Sequence, residues 1–142
     1  MNFSSLNYIG IVVATIAGFV VDALWFSPKT FFPVWWKLMG KTEGEDPGAG
    51  QSMGAIFGAL IVGQIIQSLA LTGAITGFYA NASVLQGAST GALLGVGIAA
   101  SSSLTHRMFS GLGKNAWGVW AVEVGNDIVG LTIMGAIIAA IA

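Results

Sequence analysis

The chain has 142 residues, of which 55% are hydrophobic and only 8% charged, where an ordinary soluble domain carries about 25% charged residues. With a mean hydropathy of +0.82 it belongs in a membrane, and in lipid the backbone must bond to itself as helices or a closed barrel. Long apolar runs without period-two alternation select helices. The absence of cysteine excludes disulfides, thiolate metal sites and a cysteine nucleophile, and a formal net charge of −1 says less than where the charges stand. The length suits one domain, so residues 1–142 are expected to form a single four-span transmembrane unit.

The first apolar run covers residues 6–26. Its flank, MNFSS, has no Lys or Arg, and no small-residue cleavage site follows, so a retained span is expected rather than a signal peptide. Thr15, Gly18 and Asp22 form a small and polar stripe down it at helical spacing. The run ends at Ser27-Pro28, because proline disfavours helical geometry in the residue before it. Lys29 to Lys41 then mixes Phe31, Phe32, Trp35 and Trp36 with basic residues, the make-up of a short aromatic segment lying among lipid headgroups. An aromatic ligand box is the other reading. The acidic turn TEGEDPGAG lacks EF-hand spacing and reads as a solvated loop.

The second span, residues 53–79, would be roughly 40 Å long as a helix and must tilt or protrude from a ~30 Å core. Gln64, Gln67 and Ser68 fall near its middle, where they either line a polar path or bond a neighbouring helix. Span three, residues 84–104, carries Gly87, Gly91 and Gly95 as two overlapping G-x-x-x-G units, and Ala99, Ser102 and His106 continue the ridge. Glycines at that spacing let two backbones approach closely, so this ridge is the expected helix-packing surface, within the chain or between copies. Asn2-Phe3-Ser4 and Asn81-Ala82-Ser83 match the glycosylation sequon but lie too close to the membrane for use to be expected.

The connection HRMFSGLGKNAW fails the phosphate-loop pattern, with Met108 where a glycine and Asn115 where a Ser or Thr is needed. It reads as a flexible turn carrying His106, Arg107 and Lys114. The fourth span, residues 117–140, contains Glu123, Asn126 and Asp127 at i, i+3 and i+4, hence on one helix face. Each acid near mid-bilayer costs about 2.5–3.5 kcal/mol, while each Leu, Ile or Val returns only ~0.3–0.6. Such a helix is marginal alone and needs partners for its acidic face.

Lys29, Lys37, Lys41, Arg107 and Lys114 all fall in the first and third loops, which the positive-inside rule makes cytoplasmic, with both termini outside. All five tryptophans lie at that boundary, and Tyr8 and Tyr79 at the opposite one. This topology gathers Asp22, Gln64, Gln67, His106, Arg107, Glu123, Asn126 and Asp127 into one half of the bundle, as a candidate polar path or a buried ion-pair cluster. Arg107 or His106 is the expected partner of the acids.

The stretch ALWFSP (Ala23–Pro28), followed by Trp36, Leu38, Gly40 and a glycine-rich second span, resembles the small four-span bacterial membrane proteins of the domain-of-unknown-function family DUF1761. That resemblance implies a helical membrane fold in a bacterial inner membrane and no particular reaction.

An enzyme is not expected. One histidine cannot supply an H-E-x-x-H site, no G-x-S-x-G elbow is present, and neither a metal nor a cofactor is called for. Two functions remain. One is a small permease or channel, its acidic helix lining a path for protons or a small cationic solute; four spans leave little room for a pore, so several copies are implied. The other is a non-catalytic accessory or assembly subunit of a larger membrane complex. Expected partners are the lipid bilayer and either further copies or that complex, with no nucleic acid.

Overall fold

The computed structural model describes residues 6–142, all helix and connecting turns, with no strand among them. The sequon at Asn2 lies outside the described residues. Four helices are long and apolar enough to cross a membrane: α1 (Tyr8–Trp25), α3 (Met53–Phe78), the third span Val84–Met108 and α6 (Asn115–Ile141). A short helix, α2 (Phe32–Leu38), lies between α1 and α3. The third span is continuous but not uniform: α4 (Val84–Leu94) passes through a π-helical stretch, Gly95–Ala100, into α5 (Ser101–Met108).

Local chemistry sets the helix ends. Asn7 caps α1, its side chain accepting from the Gly10 amide, so the helix begins two residues later than the apolar run. Ser83 and Gln86 form a reciprocal capping box at the start of α4. After α1, the Thr30 hydroxyl reaches the Leu24 and Trp25 carbonyls, both at 2.6 Å, and occupies acceptors that the helix end leaves open. Gly40, with φ +76°, turns the chain out of α2 in the left-handed region that glycine tolerates.

The four spans run alternately up and down, and α6 is the element that all the others touch. Asn7 Nδ2 donates to the Ile141 carbonyl at 2.6 Å, which brings the start of α1 and the end of α6 to one end of the bundle. Asn7, Tyr79, Asn81 and Ala142 line one small hollow there. The opposite end holds α2 and the α5–α6 turn. At the heart of the bundle Ala14, Leu71, Ile75, Leu131, Met134 and Ile138 pack into one apolar cluster.

The glycine ridge of the third span faces α6 of the same chain. A Cβ on Gly87 would collide with the Gly135 carbonyl, one on Gly91 with the Leu131 carbonyl, and one on Gly95 with the Ile128 backbone. No side chain fits between these helices, which is the close approach that small residues permit. Below the ridge, the π turn leaves the Ala100 carbonyl to accept from the Trp120 indole at 3.1 Å. The third span also continues to Met108, beyond the expected end at residue 104.

Candidate functional site

The polar residues of the basic half form two separate clusters. In the first, the carboxylate of Glu123 accepts from Arg107 Nη2 at 2.7 Å and from the Trp35 indole at 3.0 Å, through the same oxygen. Arg107 ends the third span, Trp35 stands on α2 and Glu123 on α6, so one half-buried carboxylate ties three elements together. Leu38 of α2 is seated over Gly118, where a Cβ would meet its methyl at 2.9 Å. Trp25 is seated in the same way on Gly125, and its indole donates to the Val122 carbonyl at 3.0 Å. Charge, indole donors and glycine seats together make this cluster a structural clamp.

The second cluster lies between α1, α3 and α6. Asp22 is held by two amides: Gln64 Nε2 donates to one carboxylate oxygen and Asn126 Nδ2 to the other, each at 2.6 Å. Charge-assisted bonds of this length are among the stronger a side chain makes. The two amides present their N–H groups to Asp22, so each turns its oxygen the other way. Gln64 Oε1 and Asn126 Oδ1 are buried and have no donor among the described residues. Gln64 Oε1 rests over Gly18, whose missing side chain leaves the room it occupies. Asp127, half-buried and one residue along from Asn126, has neither a hydrogen bond nor an ion pair among the described residues.

These groups form the floor of a cleft of about 480 Å³, within the size range of small-molecule sites. Phe19, Phe26, Phe57 and Leu60 make its apolar walls, and Phe19 and Phe57 meet at 6.4 Å between ring centres. Towards the end that carries the termini the bundle is shut: Leu71, Ile75 and Met134 are each 1% exposed. The polar groups at that level are satisfied, with the Thr15 and Ser68 hydroxyls 2.9 Å apart and Thr72 bonded to the Ser68 carbonyl.

The eight residues expected as one polar group are thus divided. Asp22, Gln64, Gln67, Asn126 and Asp127 line the cleft, with Gln67 exposed at its edge. Glu123 and Arg107 belong to the clamp, and His106 is exposed and contacts neither cluster. The expectation that Arg107 or His106 neutralises the acids therefore holds for Glu123 alone and is corrected for Asp22 and Asp127. Glu123 and Asp127 share a helix face, but α2 and the third span reach the former and α1 and α3 flank the latter. The walls of the cleft and Trp35 were not among the expected site residues. They are apolar or interfacial by type, and only helix rotation turns them inward.

A model of the family described as a protein of unknown function (DUF1761) matches residues 9–139, so the chain belongs to that family. No curated protein and no solved structure matches it.

Proposed function

We propose that this member of the family is a membrane carrier for protons or a small cationic solute, with the cleft between α1, α3 and α6 as its binding site. The observation that carries this reading is Asp127: a carboxylate in the middle of a membrane-spanning helix, lining a cleft, with no cation committed to it among the described residues. An intramembrane acid costs about 2.5–3.5 kcal/mol at mid-bilayer, and such residues mark ion and proton routes. A carboxylate that takes either a proton or a cation, but not both, exchanges one for the other. Asp22, already bound by two amides, holds the floor in place beside it.

The apolar seal formed by Leu71, Ile75 and Met134 favours a carrier that alternates over an open channel. One chain supplies the whole cleft, so copies need not share a pore. By the positive-inside rule the basic loops face the cytoplasm, and the cleft then lies in the cytoplasmic half.

The test is flux into proteoliposomes under a pH gradient. Wild-type protein should move protons or methylammonium, and Asp127→Asn should abolish the flux while leaving expression and thermal unfolding near wild type. A well-reconstituted wild type that moves neither protons, sodium nor methylammonium, and loses only stability on Asp127→Asn, rules the carrier out in favour of an accessory subunit.

A further inference from the structure

Resting on the carrier reading, the geometry points to a substrate class and a route: a protonated amine bearing an apolar body, entering the cleft sideways from the bilayer past α3. Three observations converge. The floor offers the Asp127 carboxylate, which has neither a hydrogen bond nor an ion pair among the described residues. Gln64 and Asn126 each give one N–H to Asp22, while Asn126 Oδ1 and the Asp127 carboxylate have no donor among the described residues. Asn126 is 7% exposed and its oxygen is buried, so the acceptor open to a ligand is the Asp127 carboxylate beside it. A ligand that completes such a floor brings positive charge and N–H donors together, as an alkylammonium head does.

The walls require the second half of the ligand. A cleft of about 480 Å³ is far larger than a proton or a dehydrated ion fills. A bare metal ion would want a closed set of roughly six to eight oxygens around it, and here the Gln64 oxygen is packed over Gly18 instead. Phe19, Phe26, Phe57 and Leu60 supply a surface for rings or short alkyl chains, and cation–π attraction from the phenyl faces adds to the hold on a cationic head.

The route follows from where the walls end. Phe57 and Leu60 are 46% and 45% exposed on the outer surface of α3, which faces acyl chains in a bilayer. Amphiphilic amines concentrate there with their heads at the headgroup level, so the open side of the cleft meets them at high local concentration.

The experiment uses the full chain in nanodiscs with a fluorescent arylalkylamine, its N-trimethyl analogue, and an amine whose long acyl chain confines it to the bilayer. The arylalkylamine should bind saturably, the N-trimethyl analogue at least tenfold more weakly, and the acyl amine should compete. Asp127→Asn should weaken binding at least tenfold. Phe57→Ala, on the outer wall and away from the floor, should weaken arylalkylamine binding several-fold, and unchanged binding would remove the apolar wall from the recognition. Asp127-dependent methylammonium flux without arylalkylamine binding overturns this inference and leaves the carrier reading standing. Amine binding indifferent to Asp127→Asn overturns it as partition into an acyl-chain groove. Binding that the bilayer-confined amine cannot displace overturns the lateral route, and absence of both flux and binding removes both readings.

Discussion

Glu123 and Asp127 stand one helical turn apart on α6, yet they answer to different neighbours. Arg107→Gln should destabilise the protein by about 1–3 kcal/mol, because it leaves a half-buried carboxylate with only an indole donor. Adding Glu123→Gln should recover part of that loss, whereas Arg107→Gln with Asp127→Asn should be additive. A double-mutant cycle on detergent melting midpoints measures both, and coupling to Asp127 in place of Glu123 would contradict the division into two clusters. A second residue-scale expectation concerns close approach. Gly91→Ile drives a branched side chain into the Leu131 backbone and should cost at least about 3 kcal/mol, the upper end of overpacking. The control is Gly58→Ile in α3, where nothing lies within 4 Å. Gly113, in the turn before α6, is no such control, because its φ of +55° would be strained by any side chain. Comparable losses at positions 58 and 91 in the melting assay would remove the ridge from the packing account.

At the scale of an element, α2 and the turn after it are what the aromatic-basic stretch becomes. The stretch was expected as an interfacial segment, and in the structure Lys41 lies over the Trp36 ring at 5.9 Å. Its docking through Leu38 and Trp35 was not legible, since the seats are glycine and glutamate on α6, eighty or more residues away. The turn is held by Glu45, which accepts from the Thr42 amide at 2.7 Å and the Thr42 hydroxyl at 2.9 Å, with Lys41 at 3.2 Å. The Thr42 backbone bond first, then its hydroxyl and Lys41, lower the Glu45 pKa below the ordinary glutamate value. A carboxylate with a depressed folded-state pKa stabilises the turn fully above the unfolded value of about 4.3, and the contribution is lost as pH falls through the depressed one. The Thr42 amide proton resonance should therefore stay constant from pH 7 down to the ordinary glutamate value of about 4.3 and titrate only below it. A titration centred above the ordinary glutamate value would reverse that assignment.

For the whole molecule, the basic loops and the termini lie at opposite ends of one bundle, and the direction in which the bundle sits is open to a direct measurement. The native chain has no cysteine, so single cysteines at Ser83 and Thr42 give a clean background. An impermeant thiol reagent on intact cells should label position 83, in the α3–α4 turn, and spare position 42, in the basic half. Ser5 should label as well, from outside the described residues. Labelling at 42 alone would invert the proposed orientation and place the cleft towards the exterior.

Class, number of spans and the separation of basic from uncharged ends were determined by the sequence alone, because transfer free energy, helix length and loop charge are local and sum along the chain. Asn7, Ser52 and Ser83 cap their own helices, a local effect, yet none of them was among the expected helix starts. Helix rotation was decided only by the tertiary structure. Spans that are apolar around most of their circumference have no hydrophobic stripe to say which side meets a neighbour, so periodicity is silent there. For that reason the sequence could gather eight polar residues into one half of the bundle but could not divide them. The division came from contacts across long separations: Gln64 and Asn126 turned onto Asp22, Arg107 and Trp35 turned onto Glu123. Asp127 faces the cleft by the same rotation of α6 that presents Glu123 to Arg107 and seats the α6 backbone on Gly87 and Gly91.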